Sequence, residues 1–279
     1  MGTTSAQLPR TRGATPPLLR AGHLGPSVAV TSVVALLALG EHLPAVRGVV
    51  VTAAVLAGQL TIGWGNDLVD AARDRQVGRL DKPLASGEVT AHAVRVSLIA
   101  AGLAGVVLSL LVGWRSAAVN LGLGVGSGHL YNLGLKSTSW SWVPYAVAFG
   151  TLPAVVTSAD VPHHWPPLWE MAAAASLGVA AHFLNALPDF ADDAATGVEG
   201  LPHLLGATLT RGTAIGLLVV ASVVAALGPT GAPAAYVRVS LGAVALLSVV
   251  AATGRDKVPF GAAVAIALVD VLLLTVVSR

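Results

Sequence analysis

The chain has 279 residues, 54% of them hydrophobic and 11% charged, with a mean hydropathy of +0.76 and no cysteine. Soluble domains carry about 25% charged residues, so this composition excludes an ordinary soluble fold and reads as an integral membrane protein. A formal net charge of +2, spread through loops, argues against a nucleic-acid partner, and the lack of cysteine excludes disulfides and thiolate chemistry.

Residues 1–20 read as a cytoplasmic, disordered tail with arginines and prolines, and 21–279 as a single transmembrane domain. Apolar runs follow at about 24–40, 47–65, 91–113, 116–133, 141–158, 168–187, 212–228, 233–252 and 258–277. Each approaches the ~20 residues that a helix needs to cross a bilayer. The expected fold class is therefore an all-α integral membrane protein of nine transmembrane helices. With the N-terminus inside, twelve Lys and Arg fall in loops on the cytoplasmic side and four on the other, the bias expected of a multi-pass cell-membrane protein.

After the second run comes Asn66-Asp67-Leu68-Val69-Asp70-Ala71-Ala72-Arg73-Asp74. On a helix, Asp67, Asp70 and Asp74 fall within roughly 60° of arc. Carboxylates so placed repel one another unless a cation sits among them, and oxygen ligands of this kind suit Mg²⁺ or Ca²⁺. A solvated acidic helix end is the plain alternative.

Shifting the chain by 119 residues lays Asn66 on Asn185, Asp70 on Asp189, Asp74 on Asp193, Gly78 on Gly197, Pro83 on Pro202 and Gly87 on Gly206, while Lys136 falls on Arg255. A four-helix unit thus occurs twice in the same orientation, with one helix added. The copies differ: Ala186 stands opposite Asp67, and Pro188 is expected to break the second helix. Both acidic loops face the cytoplasm, where two carboxylate clusters holding hard cations point to a diphosphate substrate. Arg79, Lys82 and Lys136 stand where such a substrate needs positive charge. Adjacent His163 and His164, in a Pro-rich loop, read as a solvated pair.

The segment Asn66 to Asp74 resembles the NDxxDxxxD motif of the UbiA superfamily of intramembrane prenyltransferases. Asp189-Phe190-Ala191-Asp192-Asp193 resembles its second motif, DxxxD, and Tyr131 with Lys136 matches its YxxxxK pattern. The resemblance implies helices ringed about a central cavity that opens laterally to lipid, and Mg²⁺-dependent transfer of a prenyl group from a prenyl diphosphate to a small acceptor. It implies that Asn66, Asp70, Asp74, Asp189 and Asp193 bind Mg²⁺, with Asp67 in support. Tyr131, Lys136, Arg79, Lys82, Asn66 and Asn185 would bind substrate, and Asp70, Asp74, Asp189, Asp193 and Lys136 would carry the catalysis.

No motif identifies the acceptor. Arg20 and His23 are candidates for holding an acceptor carboxylate such as that of 4-hydroxybenzoate, and interface anchoring is their plainer reading. Two other functions remain open at this level: a terpene cyclase on the same fold, and a transporter whose repeated halves carry ion-binding carboxylates. The placement of the clusters at helix ends beside basic residues favours the enzyme. The motifs bear on neither prenyl length nor oligomeric state.

Overall fold

A computed structural model describes residues 15–79, 81–229 and 233–277. The first fourteen residues of the expected tail, Arg10 and Arg12 among them, lie outside this set, as does Arg279. The described part of that tail is not all irregular, since Pro17–Ala21 forms a short helix, α1. Among the described residues there is no strand.

The chain continues through α2 (Leu24–Gly40), α3 (Ala45–Gln76) and α4 (Ala91–Val112). Then α5 (Trp114–Ala117), a π-helical stretch over Ala118–Val125 and α6 (Gly126–Asn132) run on as one broken helix, followed by a 3₁₀ turn at Leu135–Ser137. Next are α7 (Val143–Gly150), α8 (Leu152–Thr157), α9 (Leu168–Ala186), a 3₁₀ turn at Leu187–Asp189 and α10 (Phe190–Ala195). The last three are α11 (Leu201–Leu227), α12 (Ala234–Thr253) and α13 (Val258–Val277).

Six helices are long and apolar enough to cross a membrane by length and composition: α3, α4, α9 with α10, α11, α12 and α13. Two shorter apolar helical stretches are α2 and the α7–α8 pair. Breaks have local causes. Proline lacks an N–H and its ring crowds the carbonyl four residues back, so Pro153 opens α8 as a fresh helix and Pro188 turns the end of α9 into 3₁₀ geometry.

Packing runs in a closed circuit in which α2 meets α3, α3 meets α4 and α6, α6 meets α7, α7 meets α9, α9 meets α11, α11 meets α12, α12 meets α13, and α13 returns to α2. One buried apolar cluster joins α2, α3 and α8, and another joins α9, α11, α12 and α13. Large apolar side chains also point outward, among them Leu103 and Leu111 on α4 and Val239 and Leu246 on α12. Polar groups turn inward, as in the buried Asn120–Ser109 hydrogen bond of 3.1 Å. That inversion of the soluble pattern suits a lipid surround, where lipid-facing polar groups find no partner.

The approach of α6 to α3 determines where the chemistry sits. A side chain on Gly128 would place its Cβ 2.5 Å from Ile62 Cδ1 and 2.8 Å from Cγ1, so Ile62 would have to move to admit one. Small residues at helix contacts allow such close approach in membranes. Here the contact carries Tyr131, Asn132 and Lys136 toward the acidic end of α3.

Candidate active site

Helix α3 continues beyond the expected apolar run, through the whole acidic segment, before Gly78 turns the chain with φ +71°. Asp67, Asp70 and Asp74 are all buried on its inward face, 1%, 6% and 4% exposed. Helical spacing therefore put the three carboxylates on one side, as their register demanded. Each is handled differently.

Asp70 is the most heavily bonded. Arg73 reaches its Oδ2 at 2.9 Å, Lys136 pairs with Oδ1, and Asn66 Nδ2 donates to Oδ2 at 3.0 Å. Asn66 is fixed in turn by Asn132 Oδ1 at 3.2 Å, and Asn132 donates to the Ile62 carbonyl at 2.9 Å. Lys136 arrives because α6 ends and Gly134, at φ +152°, swings the following turn inward. Burial pulls the Lys136 ammonium below its ordinary value, opposed by the hydrogen bond and charge of Asp70.

Asp67 Oδ1 accepts from Lys82 Nζ at 3.0 Å and lies 3.1 Å from His23 Nε2, while Lys82 and His23 are 3.1 Å apart. Its other oxygen, Oδ2, is buried with no hydrogen-bond partner among the described residues. Asp74 has no ion pair of its own among those residues; Lys82, Asp70, Arg79 and Arg73 are its charged neighbours.

The second acidic segment faces the first. Arg79 Nη1 bonds Asp189 Oδ1 at 3.2 Å across the two segments, and its other end reaches Asp81 at 3.4 Å. Burial lowers the Arg79 pKa, but the hydrogen bond it donates to Asp81 and the charge of Asp189 outweigh it and leave it raised. Burial likewise pushes the Asp81 carboxyl up, and Arg79 brings it below its usual value. Asp193 lies 3.3 Å from His203 Nε2, and its charge acts through space on Lys136 and on Tyr131. Asn185, by contrast, is exposed, and its side chain makes no hydrogen bond among the described residues.

Two aromatic side chains stand behind this polar face. Tyr131 packs edge-on against Tyr145 with centroids 5.2 Å apart, and His182 stacks on Tyr145 at 4.5 Å. His182 is held at its Nε2 by Ser141 Oγ, 3.1 Å away. Residues that sequence spacing left unmarked are Asn132, which locks Asn66, and His203, which flanks Asp193. Asn132 was within sight, next to Tyr131 of the YxxxxK pattern, whereas nothing in the sequence linked His203 to Asp193. Arg20 pairs with Glu88 and His23 with Asp67, while Arg20 Nε is buried with no hydrogen-bond partner among the described residues.

The two acidic segments share local geometry at the 119-residue offset. Gly78 and Gly197 have φ +71° and +72°, and Gly87 and Gly206 have +77° and +75°. Arg79 N donates to the Asp74 carbonyl at 2.9 Å, and Val198 N donates to the Asp193 carbonyl at 2.9 Å.

The family model described as the UbiA prenyltransferase family matches residues 27–268. The chain belongs to that family. Solved UbiA structures share its fold: a UbiA homolog from Aeropyrum pernix K1, 17% identical, has a TM-score of 0.72 over 88% of this chain and 95% of that one. A UbiA homolog from Archaeoglobus fulgidus, bound to GPP and Mg²⁺, is 15% identical, with a TM-score of 0.68 over 94% of this chain and 100% of that one. A structure described as a digeranylgeranylglyceryl phosphate synthase in membranes is 15% identical, with a TM-score of 0.63 over 94% and 97%. No curated protein matches the chain by sequence. As a UbiA protein it is a multi-pass integral membrane prenyltransferase by family.

The donor chemistry of the acidic segments fits a hard divalent cation. All the acidic ligand candidates offer oxygen, three of the carboxyls are buried, and Asp67 Oδ2 is an unsatisfied acceptor. Among the described residues, no three His, Asp or Glu side chains close on one point. Basic side chains hold Asp67, Asp70 and Asp189 in their place.

Proposed function

We propose that this UbiA protein moves a prenyl group from a prenyl diphosphate to an aromatic or quinone-precursor acceptor, 4-hydroxybenzoate-like in kind. The observation that carries the reading is the meeting of both acidic segments with Lys136, Arg73, Arg79 and Lys82 at one end of the helix circuit. A diphosphate offers these cations new partners and frees the carboxyls they now neutralise. The Archaeoglobus homolog's GPP and Mg²⁺ support the same donor and ion here.

Asn66, Asp70, Asp74, Asp189 and Asp193 would hold Mg²⁺ with the diphosphate. Asp67 would support them by holding Lys82. Mg²⁺, when bound, supplies charge neutralisation for a departing diphosphate. Lys136, Arg79 and Lys82 bind the phosphate oxygens and stabilise the negative charge that grows as the allylic carbon–oxygen bond breaks, its electron pair leaving with the diphosphate. Tyr131 and Tyr145 present ring faces beside the resulting allylic cation. The acceptor carbon attacks, a new carbon–carbon bond forms, and the acceptor loses a proton. Apolar walls exclude the water that would otherwise capture the cation.

Nine crossings follow if α2, the α5–α6 unit and the α7–α8 pair also span the bilayer, and the Lys and Arg bias of the loops supports an N-terminus and site at the cytoplasmic face. The matched φ angles at Gly78/Gly197 and Gly87/Gly206 support a duplicated four-helix unit. A thiol-reactive tag in the 66–90 region tests the orientation, and labelling only from outside intact cells overturns it.

The deciding experiment incubates purified protein in detergent with Mg²⁺, labelled prenyl diphosphates and a panel of aromatic acids. Transfer that is lost in Asp70→Ala and in Asp189→Ala supports the proposal. Diphosphate release with a cyclised hydrocarbon product and no acceptor adduct overturns it.

A further inference from the structure

The second acidic segment has a neighbour that the proposed reaction leaves unused. His203 lies in the first turn of α11, and its ring packs on Phe190 of α10 with centroids 4.5 Å apart. Gly200 N donates to its Nδ1 at 3.2 Å. A ring nitrogen that accepts a hydrogen bond carries no proton, so the neutral imidazole keeps its proton on Nε2. That Nε2 is buried without a hydrogen-bond partner among the described residues, yet it lies 3.3 Å from Asp193 Oδ2. A buried donor without an acceptor is costly, and Asp193 is an acceptor within reach. Such pairs commonly align only when a site is filled.

The start of α11 is seated firmly enough to aim this ring. Gly200 packs on the turn that carries Lys136, where a Cβ would meet the Lys136 carbonyl oxygen at 2.7 Å, and Leu201 N donates to Ser141 Oγ at 3.0 Å. Asp67, Asp70 and Asp189 are each held by Lys or Arg, whereas among the described residues no Lys or Arg pairs with Asp193. A cation cancels the charge that it orients. A neutral N–H orients a carboxylate and leaves its charge for a metal ion. At the 119-residue offset His203 falls on Leu84, so the first segment has no such donor at the matching place.

We propose that His203 is the positioning residue of Asp193, its Nε2–H holding Oδ2 so that the other oxygen, with the carboxylate charge undiminished, serves the Mg²⁺ site. The proposal rests on the prenyl-transfer reading above, in which Asp193 binds Mg²⁺. His203 acts through Asp193 and not on the substrate or the ion itself. Its loss therefore weakens metal binding only while Asp193 is present.

The test is equilibrium dialysis of Mn²⁺ against the full-length protein in detergent, with inorganic pyrophosphate on both sides, beside thermal unfolding of each variant. His203→Phe removes both ring nitrogens but keeps an aromatic ring against Phe190. It is expected to weaken Mn²⁺ binding about 10- to 100-fold, the scale for losing the outer partner of a metal ligand. His203→Gln offers an acceptor to Gly200 N and a donor to Asp193, and is expected to restore most of that affinity. In the Asp193→Ala background, His203→Phe is expected to cause no further loss. If His203→Phe does not fold, NMR of isotope-labelled histidine decides, with His203→Gln marking the His203 signal. Its Nε2–H signal is expected to shift when Mg²⁺ and pyrophosphate are added, and an unmoved signal overturns the proposal. Wild-type Mn²⁺ affinity in His203→Phe, or an equal loss with and without Asp193, overturns the positioning role while leaving prenyl transfer intact. Wild-type protein that binds no Mn²⁺ overturns the Mg²⁺ site, and the role of His203 with it.

Discussion

Arg79 ties the two acidic segments together, its Nη1 3.2 Å from Asp189 Oδ1 although 110 residues separate them in sequence. This guanidinium is raised in pKa and stays charged throughout the working pH range. In the proposed reaction a bound diphosphate would compete with Asp189 for it. Arg79→Ala is expected to raise KM for prenyl diphosphate about 10- to 100-fold, the scale of one charge-assisted hydrogen bond. Steady-state kinetics with varied donor check this, and Arg79→Lys restores part of the loss.

Lys136 and Asp70 are both nearly buried, 9% and 6% exposed. Deleting one partner leaves a buried charge uncompensated, which typically costs about 3 to 5 kcal/mol. Lys136→Met is expected to lower the unfolding temperature in detergent, though Arg73 remains to share the Asp70 charge. Adding Asp70→Asn to it should recover stability without recovering activity. Additive losses in the double variant would show that the pair is not coupled.

Gly128→Val places a branched side chain against Ile62 where even a Cβ meets Cδ1 at 2.5 Å. Overpacking of this kind costs about 1 to 3 kcal/mol. It should also displace Lys136, so turnover falls with stability. Ile62→Ala in the same protein opens the space and is expected to return both, as thermal unfolding and donor turnover would report.

Chelation by EDTA should abolish transfer, and added Mg²⁺ should restore it. The unfolding temperature should change little without the ion, because Lys82, Lys136 and Arg79 already neutralise Asp67, Asp70 and Asp189. Transfer that persists in EDTA contradicts the assignment of the carboxyls to Mg²⁺.

Periodicity made the inward face of α3 legible, since three aspartates at positions i, i+3 and i+7 share a face whatever surrounds them. Proline chemistry foretold the break at Pro188. The YxxxxK spacing marked Lys136, while its inward swing depends on Gly134 and on the close approach of α6 to α3. What holds each carboxyl was less visible, because Arg79–Asp189, Lys82–His23 and Asn66–Asn132 join distant elements through packing that no local pattern encodes. The repeat pairs Asn66 with Asn185, and the first is tied into a hydrogen-bond chain while the second is exposed. The expected single helix over 116–133 became two α-helical pieces around a π-helical stretch, in a segment with glycines at 122, 124, 126 and 128.

At the 119-residue offset, His23, Asp67 and Lys82 fall on Trp142, Ala186 and Leu201. A polar trio in close contact in one half therefore has apolar counterparts in the other, and Trp142 and Leu201 pack against the cluster of α9, α11, α12 and α13. Ion pairs can exchange partners with an arriving anion, whereas apolar contacts offer it nothing to exchange. In the proposed reaction an incoming diphosphate would compete with Asp67 for Lys82 but would have no such partner in Leu201. The Lys82–Asp67 pair would thus yield to the arriving substrate, while the packing of Trp142 and Leu201 would stay in place.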